Sequence, residues 1–543
     1  MSALDRLVTG TDAPPVLPIR ESAGQLSLEI EPDTGAIRHV AWRGVEFVRM
    51  VYANVRETNW ATIPPTVSNF ALDHSGDGFR ATFEAAHERD GIDFRWRGTI
   101  EGDGHGHLTY TLEGESQKGF TTNRAGICVL HPAQLRGTRC EVAHPQGACE
   151  TSRFPDLIDP ATPFTDVVSV VCEPYPGATA TIAFEGDLFE MEDQRNFGDN
   201  SFKTYVHPQT HPTPDYPMPY RIEPGQRVRQ VVRISVAGPL PKTTPPVAPP
   251  VPAFATPRLA TVVDGPVPEG EMARLGFVRA LVRDPKLEPG VPTILLTDDP
   301  KATGDGAFAL RGPGRAGELA DVAARPRYVA GGIFGDLNHN RPAPAEVEGA
   351  LWGHQSQAHL TDSRTLFESP LTLADEVRTA RSFLGEREAI LGPVTIAGGG
   401  EDPRWNSLLG VAWTLTVVAQ AARACPDLLV LESLSRFRST LPRLVLEDLA
   451  GYEVVGFEGT RDFVVTAVQL RKGKRGRTLV ANQTPEEQLL KLREMGPSAK
   501  ARVIDAANVA AVAAELDLWR RQELGTVPAR LRAHAYVAID CDL

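Results

Sequence analysis

The chain has 543 residues, 42% hydrophobic and 23% charged, with a formal net charge of −13. That length is enough for two to four domains, each able to bury its own core, and no stretch approaches the roughly 20 uninterrupted apolar residues of a membrane helix. The negative charge opposes a phosphate backbone, and the one basic run, Arg471 to Arg477, has hairpin-turn composition, so nucleic acid and membrane are not expected partners.

Met1 to Pro15 has no apolar core between a basic start and a small-residue cleavage site, and a cytoplasmic location is the default expectation. Cys128, Cys140, Cys149, Cys172, Cys425 and Cys541 form no CxxC pair, which suits reduced thiols better than a disulfide frame or a zinc site. From about residue 20 to 238 the chain is strand-like. Leu26, Leu28 and Ile30 alternate and are followed by a turn at Pro32 to Gly35, and such runs recur with few helices, which predicts a large antiparallel β-sandwich over 1–240.

Residues 241–257 are dense in proline, the composition of an extended, semi-rigid spacer. Over 258–440 short apolar strands alternate with helical segments, the signature of a parallel sheet with crossover helices. Candidate strands are Pro292 to Leu296, Tyr328 to Phe334, Leu351 to Leu360, Ala389 to Ile396 and Leu428 to Leu431. Between them Leu373, Val377, Ala380 and Leu384 share one helical face, and Leu408 to Ala424 is apolar nearly all round, as a buried helix would be. Residues 441–543 return to strands. Phe463 to Leu470, a turn over Arg471 to Arg477, and Thr478 to Asn482 predict a hairpin in a small β-sandwich domain.

Several separated strings together resemble the D-apionate lactonase family, bacterial enzymes that open the lactone of a branched sugar acid. They are Asn59-Trp60, Arg124-Ala125-Gly126, Leu130-His131-Pro132, Phe189 to Asn196, Ser201 to Tyr205, Gly331-Gly332, Leu337-Asn338, Arg341-Pro342, Gln357 to His359 with Asp362, Pro393 to Thr395, Ala412 to Leu415, and Leu479 to Thr484. The resemblance implies a supersandwich-like first domain, a TIM-type β/α barrel and a terminal β-domain. It also implies a hydrolase acting on a sugar-acid lactone, with a small carbohydrate as partner and no cofactor. Two departures stand out. The family barrel is longer before Gly331-Gly332, so this barrel reads as shortened, and the carboxylate before Leu-Asn is usually Glu, where this chain has Asp336.

Polar residues at the C-terminal ends of barrel strands face a common mouth. That rule selects Asp336 and Asn338, then Gln357, His359 and Asp362, and then Glu432. In a complete barrel Asp336 and Glu432 would follow the fourth and seventh strands. Lactone opening needs a base for the attacking water, donors for the oxyanion and a proton for the leaving alkoxide. Glu432 is assigned as general base, His359 as oxyanion donor or leaving-group acid, and Asp336 as the second acid-base group. Asn338, Gln357, Asp362, Glu192, Asp193, Arg195 and Asn59 are candidate substrate contacts. For each there is a structural alternative: a cap or ion-pair partner for Glu432 and Asp336, a satisfied core histidine for His359, and an internal ion-pair network for Glu192, Asp193 and Arg195.

The rival functions are a glycoside hydrolase with a carboxylate pair and an inactive carbohydrate-binding homologue. Other motifs point nowhere. Gly312 to Gly317 fits G-x-G-x-x-G, but the helix after it, Glu318 to Ala324, is too short to cross a sheet. His105 and His107 sit in turn composition, so no metal site is expected, and neither G-x-S-x-G nor H-E-x-x-H occurs. Gly398 to Gly400 reads as a loop.

Overall fold

A computed structural model describes residues 3–207, 218–239, 254–297, 307–311, 327–330, 332–357, 360–397, 401–457, 463–492 and 498–542. The spacer lies mostly outside the described residues, as do the Gly312 to Gly317 motif, Gly331 and Gly398 to Gly400. The chain forms two compact units. One comprises Val16–Gln194 with Ser201–Pro249, the other Met1–Pro15, Arg195–Asn200 and Pro250–Leu543.

The first unit holds an eight-stranded and a nine-stranded antiparallel sheet that share one hydrophobic core. Four strands of the smaller sheet matter most here: β1 (Val45–Arg56), β2 (Arg124–Pro132), β3 (Leu188–Asp193) and β4 (Ser201–His207). They lie in the order β1-β2-β4-β3. Side chains alternate across a strand, so Val51, Ala53, Val55, Ala125, Ile127, Val129, Phe189, Met191, Phe202 and Val206 enter the core. Their neighbours go to the opposite face.

In the second unit eight parallel strands pair in chain order. They are β5 (Leu259–Val263), β6 (Phe277–Val282), β7 (Thr293–Thr297), β8 (Ala307–Arg311), β9 (Arg327–Val329), β10 (Gly349–Gln355), β11 (Glu388–Thr395) and β12 (Leu428–Leu431). The last pairs with the first through Leu259 and Leu429, Ala260 and Val430, and Thr261 and Leu431. Ala260, Leu281, Ile294, Val329, Leu351, Ile390, Leu428 and Val430 fill its centre. Five of these strands match the sequence expectation. Phe308 to Leu310, within β8, reads as strand-like before the Gly312 to Gly317 motif, whereas β5 and β6 are not singled out by the sequence, because Leu259–Val263 directly follows the proline-rich text and Phe277–Val282 is a short run interrupted by Arg279.

Among the described residues, helices of very different length join the strands. Between β5 and β6 the only helix is Glu271–Arg274. The later crossovers carry α1 (Phe334–His339), then α2 (Ser363–Glu368) and α3 (Leu373–Leu384), then α4 (Leu408–Ala424). Leu373, Val377, Ala380 and Leu384 are all buried, as their spacing predicts. In α4, Ser407 caps the first turn by accepting from Gly410 N, and Cys425 closes the last in a left-handed conformation.

The terminal region forms a five-stranded sheet that includes Val465–Lys472, Arg475–Asn482 and Tyr536–Asp542. The only second layer of strands among the described residues is the two-stranded pair Gln488–Leu489 and Arg530–Leu531. The expected seven-residue turn shrinks to Gly473-Lys474, since Arg471 pairs with Gly476 and Lys472 with Arg475. Gly473 at φ +60° supplies the left-handed residue that a two-residue hairpin turn requires.

Asp448 anchors this region. It is 4% exposed, one oxygen accepts from Trp519 Nε1 and from Tyr536 OH, each at 3.0 Å, and the other lies 3.3 Å from Arg477 and from Arg502. Burial pushes its carboxyl above the usual range, against the pull of the two guanidinium groups. Asp448→Ala strands two buried cations and two ring donors, so it should lower unfolding stability by about 3 kcal/mol or more, measured by urea titration. A loss below about 1 kcal/mol would show that the cluster is not an anchor.

Candidate active site

The ring places Asp336 after its fifth strand and Glu432 after its eighth, not the fourth and seventh, because β5, β6 and β8 complete the count. Glu432 follows Leu428 and Val430 at the period of two, so it stands at the end of the row that fills the ring. It is 6% exposed. Its Oε1 has no hydrogen-bond partner, and the nearest cation is Arg436 at 3.6 Å. The backbone N–H groups of Ile396 and Ser433 donate to the carboxylate, and burial outweighs them together with Arg436, raising its pKa above the ordinary value. Thr261 Oγ1 donates to the Glu432 carbonyl at 2.6 Å and fixes the strand end.

The Asp336 carboxylate accepts from Gly332 N at 2.7 Å and Ile333 N at 3.3 Å, so it orders the turn between β9 and α1. Asn338 donates to Asn196 at 2.8 Å and accepts from Arg341. Gln357 donates to Asp402 at 2.6 Å, and Asp402 is also held by Arg404 at 2.7 Å. Asp362 is the N-cap of α2, accepting from Arg364 N and Thr365 N. His359 lies outside the described residues.

Arg195 is fully buried and pairs with Asp375 at 2.8 Å. Thr372 Oγ1 donates to the Gly198 carbonyl, so the short Arg195–Asn200 segment is pinned at Arg195, Asn196 and Gly198. Beside it, His354 Nδ1 sits 2.8 Å from Glu376, whose other oxygen accepts from Trp352 Nε1 at 3.0 Å. Trp352 and His354 alternate with the ring-filling Leu351, so both project away from the ring toward α3.

In the first unit, Asp193 is buried and accepts from Asp159 N at 3.0 Å. Glu192 accepts from Gln194, and exposed Asn59 caps its own turn through Ala61 N. Sequence reasoning missed the second face of the sheet that carries Glu192. Opposite the apolar core, Tyr52, Cys128, Tyr205 and Glu190 stand in one cross-strand row, and Leu130, Lys203 and Glu192 in the next. Asn54, Arg56 and Arg124 complete the face. Asn54, Arg56, Arg124, Lys203 and Tyr205 are all at most 5% exposed. Strict alternation of charged with apolar residues inside one strand was the available signal, visible in Phe189-Glu190-Met191-Glu192.

Residues 6–239 match the family model for the N-terminal domain of D-apionate lactonase. A D-apionate lactonase from Brucella anthropi is 35% identical over 233 residues, which are 42% of this chain and 37% of that protein. The match therefore spans little more than a third of that relative's length. Among solved structures, a 4-O-α-L-rhamnosyl-β-D-glucuronidase from Fusarium oxysporum is 12% identical, with 55% of this chain and 99% of that one covered at a TM-score of 0.38. A β-arabinopyranosidase is 10% identical, with 97% and 100% covered at 0.30. Likeness at that level carries no conclusion about activity. Over residues 6–239, which hold the two-sheet unit, the chain is similar to the N-terminal domain of D-apionate lactonase.

Proposed function

We propose that the protein is a hydrolase of sugar-acid lactones, with the end of the parallel ring as its active site and Glu432 as the general base. The ring is read as a TIM-type barrel, preceded along the chain by a sandwich over 1–240 and followed by a terminal β-domain over 441–543. The observation that carries the site is the buried Glu432 carboxylate, whose Oε1 accepts no hydrogen bond from the protein. The Arg436 guanidinium lies 3.6 Å from that same oxygen, beyond hydrogen-bonding distance, so the oxygen can still take a proton from water.

In this reading water loses its proton to Glu432 as its oxygen adds to the lactone carbonyl. The ring C–O bond then breaks, and the departing alkoxide takes a proton to give the hydroxy acid. His359 is assigned to donate to the oxyanion or the leaving oxygen. Asp336 holds the turn at Gly332 from which the site is built. Gln357 is assigned as a substrate contact at the ring end. Asn338, Asp362 and Arg195 hold loops of the same unit through the partners described above.

Hydrolysis of D-apionolactone and a panel of other aldonolactones tests the assignment. Glu432→Gln should lower kcat by about a hundredfold or more with circular dichroism unchanged. Full activity in that variant would remove Glu432 from the mechanism, and cleavage of aryl glycosides in place of lactones would move the protein to the glycosidases.

The raised pKa adds a signed prediction. Only ionised Glu432 is a base, so the acid limb of the rate profile should lie above the ordinary glutamate value, about 4.3. Folding favours the protonated form, so between the ordinary and the raised pKa the folded chain holds a proton that the unfolded chain has lost, and stability falls as pH rises through that window. Glu432→Gln removes this slope. At neutral pH the variant should therefore melt no lower than the parent, and a lower melting temperature at pH 7 that converges with the parent in acid would reverse the sign.

A further inference from the structure

The polar face of β1, β2, β4 and β3 is separate in sequence and unit from the Glu432 site. It brings together three cations (Arg56, Arg124, Lys203), two carboxylates (Glu190, Glu192), two phenols (Tyr52, Tyr205) and the Asn54 amide, opposite an apolar core. A sheet with one face on the core ordinarily turns such side chains to water. Here they are buried, apart from a border where Glu190 and Glu192 are half-buried and Trp60 is 45% exposed.

Arg124 lies at the centre. One of its terminal nitrogens, Nη2, donates to Glu190, and its guanidinium lies 4.4 Å from the Tyr205 ring centroid and 5.9 Å from that of Trp60. Arg56 Nη1 donates to the Trp60 carbonyl at 2.8 Å and holds the indole in place. Arg124 Nε and Nη1 have no hydrogen-bond partner although the residue is 2% exposed, and neither does Asn54 Oδ1 at 2%. Each unmet buried donor or acceptor costs about 1–3 kcal/mol. Tyr205 also hydrogen-bonds the Arg124 guanidinium, and a ligand that brings acceptors for its remaining donors and a hydroxyl for the Asn54 amide oxygen would meet the unmet groups.

The chemistry of the face selects the ligand. Free guanidinium donors suit a carboxylate, and an exposed indole at the border suits the C–H face of a sugar. The two glutamates accept from hydroxyls and disfavour a dianionic phosphate. We propose that this face is a binding subsite for a sugar acid, in which Arg124 takes the carboxylate, Asn54 and Glu190 take hydroxyls, and Trp60 packs on the carbon skeleton. The choice of sugar acid over other hydroxylated monoanions rests on the lactonase reading, because a sugar acid is the product of that reaction. The subsite itself does not depend on turnover.

Calorimetric titration of the full chain with D-gluconate and D-apionate, and with D-glucitol as the uncharged control, tests this. Glu432→Gln serves as a second background in which no lactone is opened. Sugar acids should bind both proteins, glucitol at least tenfold more weakly. Arg124→Lys keeps the charge but loses the fork and should weaken sugar-acid binding by about tenfold or more. Trp60→Ala, at an exposed position, should weaken it with the fold intact. Unchanged affinity in a folded Arg124→Lys protein, or no binding by the parent, overturns the subsite. Should Arg124→Lys fail to fold, Trp60→Ala decides, and unchanged affinity there overturns it equally. Sugar-acid binding without any lactone hydrolysis would sink the lactonase reading and leave the subsite standing.

Discussion

Side-chain alternation along a strand is the constraint from which both sites follow. A strand that buries Phe189 and Met191 in the shared core must send Glu190 and Glu192 the other way, and β4 does the same with Phe202 and Val206 against Lys203 and Tyr205. When the second face is also out of water, its polar groups must find partners or become costly. The sheet could have met this with leucines. That it carries cations, carboxylates and phenols in register, with donors on Arg124 that lack a hydrogen bond, is what supports the proposed subsite.

The same period governs the ring. Leu428 and Val430 point inward, and the next inward position is Glu432, one step past the last hydrogen-bonded pair. Pairing with β5 and β11 fixes the backbone there, and the Thr261 hydroxyl on the Glu432 carbonyl removes remaining freedom at the strand end. The neighbouring crossovers are the ones that keep substantial helices, with α3 and α4 flanking β11 and α4 leading into β12.

The long, strongly patterned elements were legible in the sequence. Leu408 to Ala424 reads as a buried helix because no face of it is polar, and Leu373 to Leu384 because one face is. The five ring strands that match are those flanked by helical text. A missed strand such as Phe277–Val282 lacks that frame and carries Arg279 within its run. At the sites, residue type was legible but engagement was not. Asp336, Asp362 and Glu432 are all strand-end or loop carboxylates in one dimension, and only the fold shows that the first two receive backbone N–H bonds that order a turn or a helix start. Arg124 was visible as part of a family string, yet its open donors arise from strand neighbours more than 60 residues away, such as Arg56 on β1.

Two carboxylates in the second unit show why burial alone does not mark a reactive group. Asp448 and Glu432 are 4% and 6% exposed, and desolvation raises the pKa of each. Around Asp448 the side chains of Trp519, Tyr536, Arg477 and Arg502 converge, so every lone pair facing the interior has a donor and any further acceptor role would break a contact. Around Glu432 the backbone supplies the donors, the guanidinium stays at 3.6 Å, and one oxygen keeps its lone pairs. A group saturated with donors stabilises a fold. A group left one donor short, in a position the fold fixes, can take a proton from water, and that difference in hydrogen-bond saturation is what supports the proposal of Glu432 as the base, while Asp448 is an anchor.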